Sequence, residues 1–544
     1  MTRTTKLQLF GGASLVGFLA LSGQVWAAEA GTSGPSTLEE VIVTGTRQTG
    51  LKAADSPAPV QVLGASALKR VGQPDLIQAL SQNLPSFTAE AVGGDTGNLT
   101  LAAALRGLNP NDTLVLVNGK RRHPTGNLHV TGSAYQGAAT ADLGLIPVGA
   151  IERVEVLQDG AAAQYGTDAI AGVVNIILKS ANHGGTATVT GGEYFQGDGK
   201  TGALSFNIGA PLGDKGFVNV TFENRYHDFS SRGDGDRRVQ NLDGSIKASA
   251  NAINKAGVPL AANYPQVNRI NGDATYNIYT GYLNAGYSLT DDIEAYATAS
   301  YSHRLASAFE NYRLPSKVTR PGPNGTTLVP FPLGFEPKEH LEEDDYSVGG
   351  GLKGVINGWN WDVSTTYGHV KDQVSTINSA NASIYADTGQ TPRNFYDGAF
   401  TAAQWTGNLD FVKSFDAGLA SPLSFAFGFE GRRDTYEISP GDSFSIYKEG
   451  GQSFPGFQPT DSGSHKRTNY AGYVDFAADL IEGLKVDLAG RFEHYSDFGD
   501  ATVGKLTARY DFNPMVAIRG TISNGFRAPT LAEEFYSEIG RAHV

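Results

Sequence analysis

Three stretches carry residue types that invite a chemical reading. HLEEDDYS sets His340, Glu342, Glu343, Asp344 and Asp345 close together, oxygen and nitrogen donors suited to a cation. It falls at a loop-to-strand boundary, where solvated acids are the commoner outcome. RGDGDRR, around Asp234 and Asp236, begins like a calcium loop, yet Arg238 takes the next ligand position and no spaced glutamate follows. GDGKT, Gly197 to Thr201, resembles a phosphate loop, but Tyr194 stands where the first glycine is required. The 10 histidines show no metal spacing, and with 2 methionines there is no soft-metal track. Cysteine is absent, which removes disulfides, thiolate ligands and cysteine nucleophiles. No serine, histidine and acid arrangement stands out. The expectation is a protein that is not an enzyme, with no catalytic residues, no metal and no cofactor.

A fourth stretch offers main-chain chemistry instead. In LEEVIVTGTRQTG, Leu38 to Gly50, the core Val41-Ile42-Val43 lies between acids and a Gly-Thr-Arg run. It is a short extended segment with no neighbouring strand, so its backbone groups suit pairing with the exposed sheet edge of a partner. What precedes it is an export signal in layout. Arg3 and Lys6 lead an apolar run from Leu7 to Leu21, and Val25/Ala27 or Ala28/Ala30 supply small cleavage positions. That run falls short of the ~20 residues a spanning helix needs. No later segment approaches its apolar length, so entry into a membrane would require a barrel.

The remaining texture says what must position such a segment. With 42 basic and 55 acidic residues the net charge is −13, which argues against a nucleic-acid partner. Glycine at 68 of 544, with Tyr 23 and Phe 27 against Trp 4, fits turns and strands better than packed helices. Residues 28–58 read as a flexible leader. Residues 59–181 read as an α+β domain. Helical periodicity runs through Leu76, Ile77 and Leu80, and a buried strand precedes the Asn118-Gly119 turn. Alternation follows in IERVEVLQDG, and a near-continuous apolar strand in AGVVNIILKS.

From residue 182 onward the pattern is long two-residue alternation. Val218, Val220, Phe222 and Tyr226 fall opposite Asn219, Thr221, Glu223, Arg225 and His227; Leu423, Phe425, Phe427 and Phe429 likewise oppose Ser424, Ala426, Gly428, Glu430 and Arg432. A soluble sandwich would give the same alternation. Connections discriminate: short ones near Pro211–Lys215, Leu289–Asp292, Asn357–Gly358, Asp416–Ser421, Leu480–Gly483 and Asn513–Pro514 alternate with long ones near 229–274, 306–344, 373–403 and 438–467. Strict short–long alternation is the layout of a transmembrane β-barrel.

Together these segments resemble the TonB-dependent receptors of Gram-negative outer membranes. LEEVIVTGTR is similar to the TonB box. SFTAEAVGGDTGNLTLAAALRGLNPNDTLVLVNGKRR and IPVGAIERVEVLQDGAAAQYGTDAIAGVVNIILKS are similar to the plug domain, and NGFRAPTLAEEF to a motif late in the barrel. The resemblance covers essentially the whole mature chain. It implies a mainly β fold: a transmembrane antiparallel β-barrel, about 13 of an expected ~22 strands being present, with an N-terminal α+β plug domain.

It also implies that TonB, the energy-transducing protein of the inner membrane, contacts Glu40, Val41, Ile42, Val43 and Thr44. Arg106, Glu152, Arg153 and Glu155 are the expected plug–barrel ionic contacts, Arg106 and Glu155 foremost. Gly160, Gly166 and Gly172 are expected to serve backbone conformation. The implied activity is active transport of a scarce extracellular ligand, such as a siderophore, haem, vitamin or oligosaccharide, across the outer membrane. Val92–Asn98 and Arg122–Gln136 would form the plug apex, and Tyr312, Phe331, Phe335 and Tyr396 are loop aromatics able to stack on a ligand. The alternatives are a passive plugged porin with a vestigial box and a secreted all-β binding protein. The expected divisions are 1–27 signal peptide, 28–58 leader with TonB box, 59–181 plug and 182–537 partial barrel in outer-membrane lipid. EIGRAHV, residues 538–544, reads as translated sequencing adapter, so the barrel is expected to be truncated and its tail non-native.

Overall fold

The computed structural model describes residues 44–45, 51–90, 96–100, 102–130, 135–245, 247 and 270–536. Glu40, Val41, Ile42 and Val43 of the box, the export signal and the tail 538–544 lie outside the described residues.

The first body is built on a five-stranded sheet. β1 (Val60–Gly64) is followed by α1 (Ala65–Arg70) and α2 (Leu76–Asn83), then by a small hairpin of β2 (Phe87–Glu90) and β3 (Ala102–Leu105). β4 (Thr113–Val117) and β5 (Lys120–Arg121) form a second hairpin, and β6 (Ile151–Leu157), α3 (Ala162–Tyr165) and β7 (Gly172–Leu178) complete the domain. The sheet order is β1-β6-β7-β4-β5, with β4 and β7 parallel and the other pairs antiparallel. Local chemistry accounts for the elements. Asp75 caps α2 by accepting from Gln78 N, and Leu76, Ile77 and Leu80 seat its apolar face on Val154, Val156, Val174 and Ile176. TLVLV and GVVNIIL are apolar almost throughout because both faces of β4 and β7 are buried. Asn118 and Gly119 take φ of 49° and 77°, the two left-handed positions of a tight hairpin turn. Gly172 has φ 144°, and a Cβ there would lie 2.1 Å from the Leu157 carbonyl oxygen, so only glycine fits.

The second body is one antiparallel sheet of 13 strands, in chain order among the described residues. Its members are β8 (Gly185–Gly192), β9 (Thr201–Leu212), β10 (Gly216–His227), β11 (Thr275–Ser288) and β12 (Ile293–Phe309). After a loop hairpin of β13 (Arg320–Pro321) and β14 (Thr327–Leu328) come β15 (Lys338–Ile356), β16 (Trp359–Ile377), β17 (Phe395–Phe415) and β18 (Leu423–Pro440). β19 (Gly463–Ile481), β20 (Leu484–Tyr495), β21 (Gly499–Asn513) and β22 (Val516–Ser523) follow. Two further helices, α4 (Ala382–Thr388) and α5 (Leu531–Phe535), lie between β16 and β17 and after β22.

The polarity of this sheet is reversed relative to a soluble sandwich. On β10, Glu223 and Arg225 are buried at 6% and 1% exposure, while Val220 and Phe222 are exposed at 41% and 46%. The same inversion recurs at Arg491 and Glu493 against Leu488 and Phe492 on β20. An apolar outer face and a charged inner face are what lipid outside and a polar plug inside require.

Turns bear out the alternation with one departure. The connections at 213–215, 289–292, 357–358, 416–422, 482–483 and 514–515 are short, whereas 228–274, 310–337, 378–394 and 441–462 are long. Residues 496–498, on the long-loop side between β20 and β21, make only a tight turn, and 193–200 is of middling length. β8 and β22 are exposed along nearly their whole length, and each pairs on one side only among the described residues.

HLEEDDYS departs from expectation. It lies inside β15, where Glu343 and Asp345 are buried at 1% and 3% exposure on the inward face, and Glu342 points outward. A strand in a plugged barrel buries its polar face, so two of these acids are not solvated. Asp236 is gripped by the Arg238 guanidinium at 3.0 Å, in keeping with the rejection of a calcium loop there. Among the described residues no group of His, Asp or Glu is arranged to hold a metal ion.

Candidate functional site: the plug–barrel interface

The β4–β5 hairpin brings a run of charged side chains to the barrel wall because its short turn ends the apolar strand and releases KRRH. Lys120 Nζ lies 2.7 Å from Asp362 Oδ1 on β16 and 3.9 Å from Asp410 Oδ2 on β17, and the Tyr296 hydroxyl donates to the same Asp362 at 2.8 Å. Asn118 Nδ2 donates to Asn284 Oδ1 on β11 at 3.2 Å. Arg122 pairs with Asp345 on β15, and His123 Nε2 meets the other oxygen of that carboxylate at 2.8 Å. Burial, and then the Arg122 charge, hold the His123 imidazole below its ordinary pKa, so Arg122 is the cation that neutralises Asp345.

Other contacts encircle the plug. Arg304 on β12 pairs with Asp142, Arg225 on β10 donates to the Pro74 carbonyl at 3.0 Å, and Gln164 donates to Asp475 on β19 at 2.8 Å. Thr167 and Tyr495 share a hydroxyl contact of 2.6 Å, and Arg527, beyond β22, lies 3.3 Å from Asp112. Asp168 sits between Arg121 and Arg432; burial raises its pKa, but the two guanidinium charges outweigh that and hold it below the usual carboxylate value. The charges named here are thus paired, as a dry interface demands.

The four charged residues singled out in the sequence sit elsewhere. Arg106 takes φ 59° and donates to the Ala171 carbonyl at 3.3 Å, within the plug. Arg153 and Glu155 pair with each other at 2.8 Å along β6, and Glu152 is exposed on the opposite face. The barrel-facing ion pairs run instead through Lys120, Arg122, Asp112 and Asp142, together with Asp75 to Arg225 at 3.4 Å and Asp159 to Lys505 at 3.9 Å. The missed signal was a charged run placed directly after a buried strand and its Asn-Gly turn.

Thr44, the one described box residue, is fully buried. Its Oγ1 donates to Glu155 Oε2 at 2.6 Å and accepts from Asn175 Nδ2 at 2.9 Å, while Gly45 N donates to the Tyr165 hydroxyl at 3.0 Å. This lies at the short-turn end of the barrel, the end where Lys485 and Arg509 reach the backbone of Ala54 to Ser56.

At the long-loop end, Thr96 N donates to Glu339 Oε2 of β15, and Asn127 ties Thr96 to Thr100. Tyr312 and Phe335 are buried at 6% each, Phe335 in a loop core with Val318, Ala380 and Tyr385, and Tyr312 with its hydroxyl donating to the Leu333 carbonyl. Phe331 packs on Phe335 at 5.0 Å under the Arg393 guanidinium, and Tyr396 is half-buried. Tyr312, Phe331 and Phe335 pack on the loops themselves, whereas Tyr396, expected in a loop, stands at the start of β17 paired with Ser375. The cavity between plug and wall lined by Arg121, Arg122, Gln404, Arg432 and Arg527 holds 120 Å³, well below the roughly 300–1,000 Å³ of a small-molecule site.

Comparison with known proteins agrees with this geometry. Residues 52–173 match the TonB-dependent receptor plug domain, and residues 316–542 match the TonB-dependent receptor-like β-barrel. The ferric enterobactin receptor of Pseudomonas aeruginosa is 22% identical over 94% of this chain, and the chain spans 64% of its length. The vitamin B12 transporter BtuB of Photobacterium profundum is 30% identical over 39% of this chain and 32% of its own. The crystal structure of the ferric enterobactin receptor PfeA from P. aeruginosa superposes with a TM-score of 0.61 at 19% identity, covering 87% of this chain and 62% of that one. A plug seated in an inverted-polarity barrel, matched by both family models, places this chain in the TonB-dependent receptor family of the outer membrane.

Proposed function

We propose that the protein imports a scarce ligand of siderophore or vitamin class from outside the cell, driven by TonB bound at Glu40–Thr44. The single observation that carries this reading is Thr44, held at the short-turn end by Glu155 and Asn175 of the plug. A plug ion-paired to the wall must rearrange before a ligand of that size can pass beside it, and the buried end of the box is where force would enter. Pairing of Glu40, Val41, Ile42 and Val43 with a partner's sheet edge would supply the grip. In this reading residues 1–27 direct export and are removed, 28–58 carry the box, 59–181 form the plug and 182–537 contribute the wall. The relatives' names supply the ligands to try first, ferric enterobactin and vitamin B12.

The test is uptake of radiolabelled ferric enterobactin and cyanocobalamin by cells with and without residues Glu40 to Thr44. Energised uptake of one of them should collapse on deletion. Flux unchanged by the deletion would instead indicate a passive plugged porin.

A further inference from the structure

The hydrogen-bond path that begins at Thr44 ends on the barrel wall. Asn175, 1% exposed on β7, donates to Thr44 Oγ1 and accepts from Gly119 N at 3.0 Å through its other amide atom. One buried side chain thus ties the N-terminal segment to the turn of the β4–β5 hairpin. On either side of Gly119 the turn is anchored again. Asn118 reaches Asn284 of β11 and accepts from Leu178 N at 2.9 Å; Lys120 reaches Asp362 of β16.

Two cavities border this hairpin, and a third lies on the wall beyond it, toward the short-turn rim. The first, of 120 Å³, touches Arg121, Arg122, Gln404 and Arg432. The second, of 40 Å³, lies among Gly119, Lys120, Arg121, Asn408, Asp410 and Arg491. The third, of 430 Å³, lies on Asp291, Glu294, Asp362 and Asp410. Arg121 borders the first two and Asp410 the last two. The narrowest of the three is the one Lys120 and Arg121 line. The ion pair there is partly solvated, at 17% and 25% side-chain exposure, so it closes the gap without a large desolvated charge to break.

We propose that the β4–β5 hairpin is the gate of the transport route, which runs between the plug and the wall of β17 to β20 and leaves past β12, β15 and β16, and that Asn175 couples this gate to Thr44. Asn175 is a positioning residue: it touches neither ligand nor TonB but transmits displacement of Thr44 to Gly119. The inference rests on the transport reading above and adds the side of the plug that opens and the residue that opens it.

The chain has no native cysteine, so single cysteines report cleanly. Asn408→Cys marks the narrow cavity, and Ser205→Cys marks the opposite wall, where Ser205 packs on Gly149 of the plug. Labelling by a membrane-impermeant methanethiosulfonate is followed on the full chain in cells with and without TonB. Labelling of Asn408→Cys is expected to rise at least fivefold with TonB, that of Ser205→Cys less than twofold, and Asn175→Ala should abolish the rise. Lys120→Met, which leaves the plug core intact, should raise Asn408→Cys labelling without TonB. A TonB-dependent rise at Ser205→Cys alone, or a full rise at Asn408→Cys with Asn175→Ala, overturns the proposal while energised transport stands. No TonB dependence at either site overturns the transport reading itself.

Discussion

Glu343 and Asp372 stand directly opposite each other across β15 and β16, both side chains buried, at 1% and 0% exposure. Arg304 approaches Glu343 from β12 at 3.3 Å without a well-aligned hydrogen bond, and neither Asp372 oxygen has a protein hydrogen-bond partner among the described residues. Two carboxyl groups directly opposite each other in register disfavour each other. Asp372→Asn should therefore hold or raise the melting temperature of the detergent-extracted protein. Arg304→Met should lower stability by about 3–5 kcal/mol, because it strands Asp142 and Glu343. Calorimetry on the two variants checks both signs, and a destabilised Asp372→Asn would refute the repulsion argument.

The Arg122–Asp345 pair should show the same asymmetry across the plug–barrel boundary. Arg122→Met leaves Asp345 buried without its guanidinium partner and is expected to loosen the plug by about 3–5 kcal/mol. Adding Asp345→Leu should restore most of that loss, since the uncompensated charge goes with it. Denaturant unfolding of the two single variants and the double variant measures the coupling.

His129 gives the plug a pH dependence of defined sign. Burial depresses its pKa to about 4, against an ordinary value near 6.5. Between those values the unfolded chain binds more protons than the folded one, so stability is full above about pH 6.5 and is lost as pH falls toward 4. His129→Gln should flatten this part of the profile. Protease resistance of the plug at stepped pH is the measurement, and an unchanged slope would count against the assignment.

Thr44→Val removes one donor and one acceptor at a buried site and leaves Glu155 and Asn175 each one partner short. Hydrogen exchange at the N-terminal side of the plug should quicken by an amount corresponding to roughly 1–3 kcal/mol. Thr44→Ser, which keeps the hydroxyl, should exchange close to the native rate.

Legibility followed the strength of the physical constraint. Lipid and a polar interior make opposite demands at alternate residues, so the faces of β10, β18 and β20 could be read from sequence before any coordinates. Asn118-Gly119 announced its hairpin because two successive left-handed residues are nearly confined to that pairing. The acids of HLEEDDYS were misjudged for the converse reason: Glu343 and Asp345, facing the plug, have the same residue types as solvated acids. The contacts Lys120–Asp362 and Arg122–Asp345 join residues more than two hundred positions apart, and no local pattern encodes which inward carboxylate each cation meets. Arg153 and Glu155 share a face of β6, and that spacing pairs them with each other.

The reversed polarity of the strands also bears on how such a chain travels. Because apolar and polar residues alternate, the mean hydropathy is only −0.24, and no described helix is long and apolar enough to cross a membrane. Its greasy surface exists only once the pleat sorts alternate side chains to opposite faces. Before that sorting the polypeptide is, on average, a water-compatible one. A translocation pore in the inner membrane has little reason to release it sideways into lipid. The affinity for a bilayer is thus acquired on folding, at the destination, rather than carried along the way.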